Sequence, residues 1–397
     1  MGIVKDRYDI IIVGGGIVGL TLALLLAESD KRIALLDNKA QVEAFNREQY
    51  DVRVSAITPA SVKLFEQLSV WDDMVALRVS PFTHMHVWDG DGRAKIEFDA
   101  ASVGVNELGY IVENNVMLQV LWQRVAASGQ IIILNDIQLE YMQRHEHNPN
   151  IELHGGNTIL SAPLIMGADG AKSWLRQAAH IDITERAYQH HAIVCTVKTE
   201  KAHDKTARQR FMPQGPLAFL PLDTAYHSSI VWSSVPTHAD TLMQLSDEDF
   251  ALALTEAFQS QLGAVVEVGP RTKFPLIMRH AQQYVQPGLA LVGDAAHTIH
   301  PLAGQGLNLG LADAALLAEL VLQDYAHKNE RVKYSTLRGY ERTRKADNAT
   351  MLAAMDGFKH LFGNDMPVIK WLRHRGLNLT DRLSFVKNLI LQKAMGV

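Results

Sequence analysis

The segment from Tyr8 to Asp37 restricts the fold of this chain more than any other. Residues 8–13, Tyr-Asp-Ile-Ile-Ile-Val, form an apolar run of strand length, and Gly14-Gly-Gly16-Ile-Val-Gly19 follows directly. Leu20 to Ala27 continues as an apolar helix. Arg32 to Leu36 is a second strand that ends on Asp37, 18 residues beyond Gly19. Each glycine has its own task here: Gly14 makes the tight turn, Gly16 lets a pyrophosphate approach the backbone, and Gly19 lets helix and strand pack closely. The acid ending the second strand is placed to bind a ribose hydroxyl. A glycine-rich turn without a ligand would leave that acid unexplained, so the segment reads as the βαβ unit of a dinucleotide site. By itself it admits either NAD or FAD.

Two further apolar strands end in an acid. Pro163 to Ala168 stops at Asp169-Gly170, with a helix through Ser173 and Arg176, and Leu289 to Val292 stops at Gly293-Asp294. After the second of these, a turn closed by Pro301 hands over to Gly304-Gln305-Gly306-Leu307-Asn308, which opens a long apolar helix. The glycines admit a ligand close to the backbone, and the free N–H groups and dipole of the helix favour negative charge. That combination suits the electron-accepting ring end of FAD. Strand-end acids from distant parts of one chain meet at the carboxyl edge of a parallel sheet, where α/β folds bind cofactors.

The intervening chain changes character. Thr58-Pro59 starts a helix with a good cap and a good first residue. Arg53, just before it, reads equally as a phosphate or flavin-edge ligand and as a surface ion-pair partner. Residues 84–98 read as a hairpin turning at Asp89-Gly-Asp-Gly92. Asn114 or Asn115 caps a helix to about Ser128 that carries Gln119 among apolar residues. Alternating strands at 189–199, 207–212, 216–222 and 226–235, interrupted by a helix over 247–262, predict an antiparallel sheet with Phe219, Leu220, Pro221 and Trp232 as an apolar wall. The expected architecture is a Rossmann-like α/β cofactor domain over 1–75, 100–185 and 280–330. The substrate domain takes 76–99 and 186–279, and a helical region takes 331–397.

Composition excludes several classes. A net charge of −5 over 397 residues, with no basic stripe studded by aromatics, gives nucleic acid no purchase. The single cysteine, Cys195, forms no internal disulfide and fits a reducing, cytoplasmic compartment. The apolar start lacks a basic leader and cleavage site, and its glycines interrupt it. His297 and His300 have metal-like spacing but no Cys, Asp or Glu set completes a site, so no metal is expected. Residues 356–397 hold seven Lys/Arg against three Asp/Glu among apolar residues. Such a tail can rest on an anionic membrane surface, although a solvated helix face is the commoner meaning of the pattern.

Gly14-x-Gly16-x-x-Gly19, Gly167-Ala-Asp169-Gly170-Ala-Lys-Ser173-x-x-Arg176 and Gly293-Asp294-Ala-Ala-His297 with Pro301, in that order, resemble the group A flavoprotein monooxygenases of the para-hydroxybenzoate hydroxylase type. Within that group, His300-Pro-Leu-Ala-Gly-Gln-Gly-Leu-Asn-Leu-Gly310, Asp51-Val-Arg-Val-Ser-Ala-Ile and Gly109-Tyr-Ile-Val-Glu-Asn resemble the ubiquinone-biosynthesis hydroxylases. Tyr188-Gln-His-His-Ala, Ala218-Phe-Leu-Pro-Leu and the ending Gln-Lys-Ala-Met-Gly-Val are most similar to the branch acting on 2-polyprenylphenols; the branch acting on 3-demethoxyubiquinol is the alternative. Asp37 departs from the glutamate more usual there.

The resemblance implies bound FAD, with NAD(P)H and O2 as co-substrates. A hydroperoxide at flavin C4a would hydroxylate the ring of a polyprenylated phenol. It places Gly14, Gly16, Gly19, Asp37, Arg53, Gln119, Asp169, Gly170, Gly293, Asp294 and Gly304 to Asn308 around FAD, and His300-Pro301 at the reacting face. Phe219, Pro221 and Trp232 are the candidate substrate pocket. It further implies a chain resting on the inner face of the cytoplasmic membrane among other ubiquinone-biosynthesis proteins. A non-catalytic FAD-fold scaffold in that assembly is the remaining alternative.

Overall fold

A computed structural model describes residues 4–37, 44–90, 95–146, 148–298 and 306–362, with side chains in the last stretch described to Thr350. His300, Pro301, Gly304, Gln305 and the tail beyond Phe362 lie outside the described residues.

The helices, in chain order, are α1 (Ile17–Leu26), α2 (Pro59–Gln67), α3 (Trp71–Leu77), α4 (Asn114–Ser128), α5 (Trp174–Ala178), α6 (Pro236–Gln244), α7 (Asp247–Ala257), α8 (Gly306–Ala326) and α9 (Tyr334–Phe362). A six-stranded sheet runs 285–286, 289–291, 164–167, 10–13, 33–36, 131–134, parallel except at the 285–286 edge. Its inner strands are buried on both faces, as continuous apolar runs such as Ile-Ile-Ile-Val require. Nine of the ten residues of α1 are buried. A helix apolar all round must be enclosed, and α1 lies against α4 and α8 as well as the sheet. The four-stranded sheet 4–7, 158–162, 148–155, 141–145 joins the same core through Ile151, Leu153 and Leu160.

The second large sheet runs 297–298, 272–281, 183–199, 227–234, 215–221, 206–212, 84–89, 95–99, with 265–268 also paired to 183–199. Helices α6 and α7 cover one of its faces. Three expectations change in detail. The strand expected from 189 begins at Ile183, because residues 183–187 pair with 277–281 before Gln189, at φ 54°, shifts the register. The helix expected to reach 262 stops at Ala257, where Gln259 and Ser260 turn left-handed. The residue before α4 is Glu113, not an asparagine; Asn114 accepts a hydrogen bond from Ser55 Oγ instead. Thr58 does cap α2, accepting the Ser61 N–H.

Length and composition alone would let α8 cross a bilayer. Its Leu311, Asp313, Ala314, Leu317 and Val321 are buried in the protein core instead. Cys195 is fully buried beneath α6 and α7, and desolvation pushes its thiol up to about 12. A thiol without thiolate character or access is inert. Native protein is therefore expected to resist iodoacetamide at neutral pH and to react once unfolded; stoichiometric labelling of the native form, read by mass, would contradict this burial.

Candidate flavin and substrate site

The glycine turn is built by backbone contact. A Cβ at Gly19 would lie 1.9 Å from the Gly14 carbonyl oxygen, and one at Gly14 would lie 2.4 Å from the Ala168 carbonyl oxygen. The first strand, α1 and the strand ending at Asp169 are thus in contact where their glycines meet. Gly16 is different, because its side-chain direction opens on free space. No side chain caps α1 there, so its first N–H groups are left for an anion. Asp37, ending the adjacent strand, accepts the Gly15 N–H at 2.5 Å. Gln119 of α4 accepts the Phe45 N–H at 2.6 Å, bracing the chain where it returns after Asp37.

Asp294 sits where the chain crosses between sheets. Residues 289–291 belong to the parallel sheet, Gly293–Ala295 form a single 3-10 turn, and His297–Thr298 pair with Arg279 and His280 in the antiparallel sheet. Gly293 has φ 58° at the crossing. Asp294 is exposed to solvent at this crossing. Burial raises its carboxyl, while His297, Arg53 and Arg279 oppose that rise. Asp169 stands at the neighbouring strand end, its Oδ2 accepting the Leu175 N–H at 3.0 Å and its carboxyl raised by desolvation. Gly170, at φ 79°, opens on free space beside it. Arg176 joins the two motifs, donating to Ala295 O at 2.8 Å and Ala171 O at 2.9 Å.

At the start of α8, Gly306 again opens on free space, and Leu307 packs at the core edge. The Asn308 side chain has a structural role that the sequence did not show. Its Oδ1 accepts from Thr58 N at 3.0 Å and Ser61 Oγ at 2.8 Å, and its Nδ2 donates to Ala56 O at 2.7 Å. The side chain is a strut between α8 and the start of α2, with its Oδ1 taken up and one amide N–H still free of a partner among the described residues.

The residues expected to form the substrate wall are packed as core. Phe219 stacks on Phe258 with centroids 3.9 Å apart, and Trp232 lies against Phe250 and His238. Both are core beneath α6 and α7, and Pro221 alternates onto their side of its strand. The other face carries Ala192, Val231, Phe274, Leu276 and Met278, linked by the registers Ala192↔Phe274 and Val194↔Val231. Arg53 reaches this face from the cofactor side, its guanidinium 5.7 Å from the Phe274 ring centroid. Arg53 is also close enough to Asp294 to act on its carboxyl, so the guanidinium lies between the apolar face and that strand-end acid.

These residues fit FAD. An uncapped helix start beside an open glycine suits the pyrophosphate, Asp37 is level with it at the next strand end, and Asp294 is accessible between the sheets. The matching family model, an FAD-binding domain, spans residues 7–354. The chain is 38% identical to the 3-demethoxyubiquinol 3-hydroxylase of Escherichia coli (strain K12) over 389 residues, 98% of each protein. It is 35% identical to the ubiquinone hydroxylase UbiL of Rhodospirillum rubrum over 388 residues, 98% of this chain and 89% of the relative. It is 34% identical to the mitochondrial ubiquinone biosynthesis monooxygenase COQ6 of Homo sapiens over 433 residues, 97% of this chain and 92% of the relative. The fold also matches the crystal structure of p-nitrophenol 4-monooxygenase PnpA from Pseudomonas putida, with TM-score 0.79, 19% identity and coverage of 99% and 98%. With the three strand-end motifs converging on one cofactor-shaped edge, the chain belongs to the FAD-binding-domain family and is an FAD-dependent aromatic monooxygenase of the group that includes the ubiquinone-biosynthesis hydroxylases.

Proposed function

We propose that this enzyme hydroxylates the aromatic ring of a polyprenylated phenol or quinol on the route to ubiquinone. In the overall reaction a ring C–H, O2, NAD(P)H and a proton give a ring C–OH, water and NAD(P)+. The observation that carries this reading is the apolar face of half-buried Val231, Phe274 and Met278 around buried Leu276, which Arg53 connects to Asp294. When bound, FAD would supply the electron transfer from NAD(P)H to O2 and the activated oxygen. The open backbone at Gly16 and the start of α1 would hold its diphosphate, and Asp294 would face its ring end. The apolar face holds the substrate ring and keeps water from the reacting centre.

Two ring acceptors are carried forward. The motif pattern favours a 2-polyprenylphenol, and the 38% identity with the Escherichia coli enzyme favours 3-demethoxyubiquinol. Short-chain versions of both, incubated with holoenzyme, NAD(P)H and O2, should give one product heavier by an oxygen atom, identified by mass spectrometry. If NAD(P)H is consumed without ring hydroxylation of either, the reading fails. Residence at the inner face of the cytoplasmic membrane, through residues 356–397, belongs to the same proposal. Flotation with anionic liposomes tests it, and failure of the full chain to co-float would refute it.

The wall itself is testable. Val231→Trp is expected to raise KM for the phenol by about tenfold or more, the penalty for filling an apolar pocket, with flavin content unchanged. Phe219→Leu should lower stability by ~1 kcal/mol and leave KM unaltered. The reverse pattern would return the substrate to the Phe219 face.

A further inference from the structure

Asp313 takes no part in the cofactor or substrate contacts described so far. It is an acid two turns into the apolar helix α8, and it is completely buried. Its Oδ2 accepts the Gly293 N–H at 2.9 Å and lies 2.6 Å from His297 Nε2. Its Oδ1 accepts from Arg344 Nε of α9 at 2.6 Å. One carboxylate therefore grips both ends of the arc Gly293–His297, and the accessible Asp294 is inside that arc. Burial alone would raise its carboxyl, yet His297 and Arg344 together hold it below the usual range. Arg344 is itself buried and also bonds Asp347 at 2.8 Å. Buried ion clusters seldom add net stability over apolar packing, so this one is better explained by the geometry it fixes.

We propose that Asp313 is a positioning residue for the flavin: it braces the Gly293–His297 arc from behind so that Asp294 meets FAD in one orientation, and Arg344 makes α9 part of that brace. The proposal rests on FAD binding and not on which phenol is hydroxylated, so failure of the substrate reading leaves it standing.

The test uses the full-length chain and four variants: Asp313→Asn, Arg344→Lys, Arg344→Met and Tyr340→Phe. Each is measured for FAD Kd by fluorescence, for the visible circular dichroism of bound flavin, and for the Tm of the apoprotein. Asp313→Asn and Arg344→Met should weaken FAD about tenfold or more, the loss expected on removing a hydrogen bond to a charged group, and should alter the flavin dichroism. Arg344→Lys keeps the charge and should stay within about threefold of the parent Kd. Tyr340 anchors the same helix to Leu291 O at 2.8 Å, so Tyr340→Phe should lower apoprotein Tm and leave Kd and dichroism unchanged. If Asp313→Asn does not fold, the two Arg344 variants decide alone. Unchanged Kd and dichroism in Arg344→Met, or an equal loss in Tyr340→Phe, would overturn the proposal by reducing the cluster to ordinary docking of α9.

Discussion

Replacing Gly19 with alanine is expected to give a protein that no longer binds FAD and is colourless as purified. The added Cβ would sit 1.9 Å from the Gly14 carbonyl oxygen, a backbone atom that no rotamer change can move aside. Either α1 slides away from the sheet or the turn at Gly14 opens. The first is resisted by the nine buried residues of α1. The second is resisted by Gly14, already at φ 108° and itself against Ala168 O. Overpacking of this kind costs about 3 kcal/mol. Whichever part moves, the N–H groups at the start of α1 no longer converge above Gly16. Gly16→Ala is the matched control, because its Cβ meets no protein atom within 4 Å. That variant should fold with the parent Tm and lose FAD affinity only because its methyl enters the ligand's space. A yellow Gly19→Ala protein with unchanged Tm would show that the turn is not held as the structure has it.

That contrast shows why the cofactor half was legible in the sequence. A glycine needed for close approach, an apolar strand and an acid at its end are local features within a few residues of each other. The pattern survives without knowledge of the rest of the fold. The substrate face is a different matter. In the strand 215–221 both alternations are apolar, Leu217 and Phe219 on one side and Ala218 and Leu220 on the other. Nothing in that segment says which side α6 and α7 will cover. The bulkiest residues, Phe219 and Trp232, looked like a pocket wall and proved to be what those helices bury. The structural role of Asn308 was hidden for a related reason. Its place beside the glycine pair suggested a ligand, but its partners Ala56, Thr58 and Ser61 come from about 250 residues earlier. Asp313 was passed over, although an acid among the apolar residues of the first half of α8 was a readable signal. Charge in such a place needs a partner, and its partner Arg344 is on another helix.

The second large effect is expected at Glu113. Arg78 and Glu113 form a bidentate pair with side chains only 5% and 2% exposed, Nε to Oε2 at 2.5 Å and Nη2 to Oε1 at 2.9 Å. The pair reaches further than its own two residues. Glu113 Oε1 accepts the Asp51 N–H at 2.6 Å, and Arg78 donates to Arg47 O at 2.8 Å and Gln49 O at 2.6 Å. Together they fasten the chain segment that delivers Arg53 to the site. Glu113→Ala leaves a guanidinium buried without its counter-ion, and breaking a buried pair from one side costs roughly 3–5 kcal/mol. A fall of that size should appear as a Tm several degrees lower, with weaker FAD binding because the 45–53 segment loosens. The double variant Arg78→Met with Glu113→Leu separates the causes. It removes both charges and fills the volume, so most of the stability should return. The lost hydrogen bonds to Arg47 O, Gln49 O and Asp51 N–H are not replaced, so flavin affinity should stay low. A double variant as unstable as Glu113→Ala would place the loss in packing and not in the stranded charge. A double variant with parental FAD affinity would show that the 45–53 segment does not need this fastening.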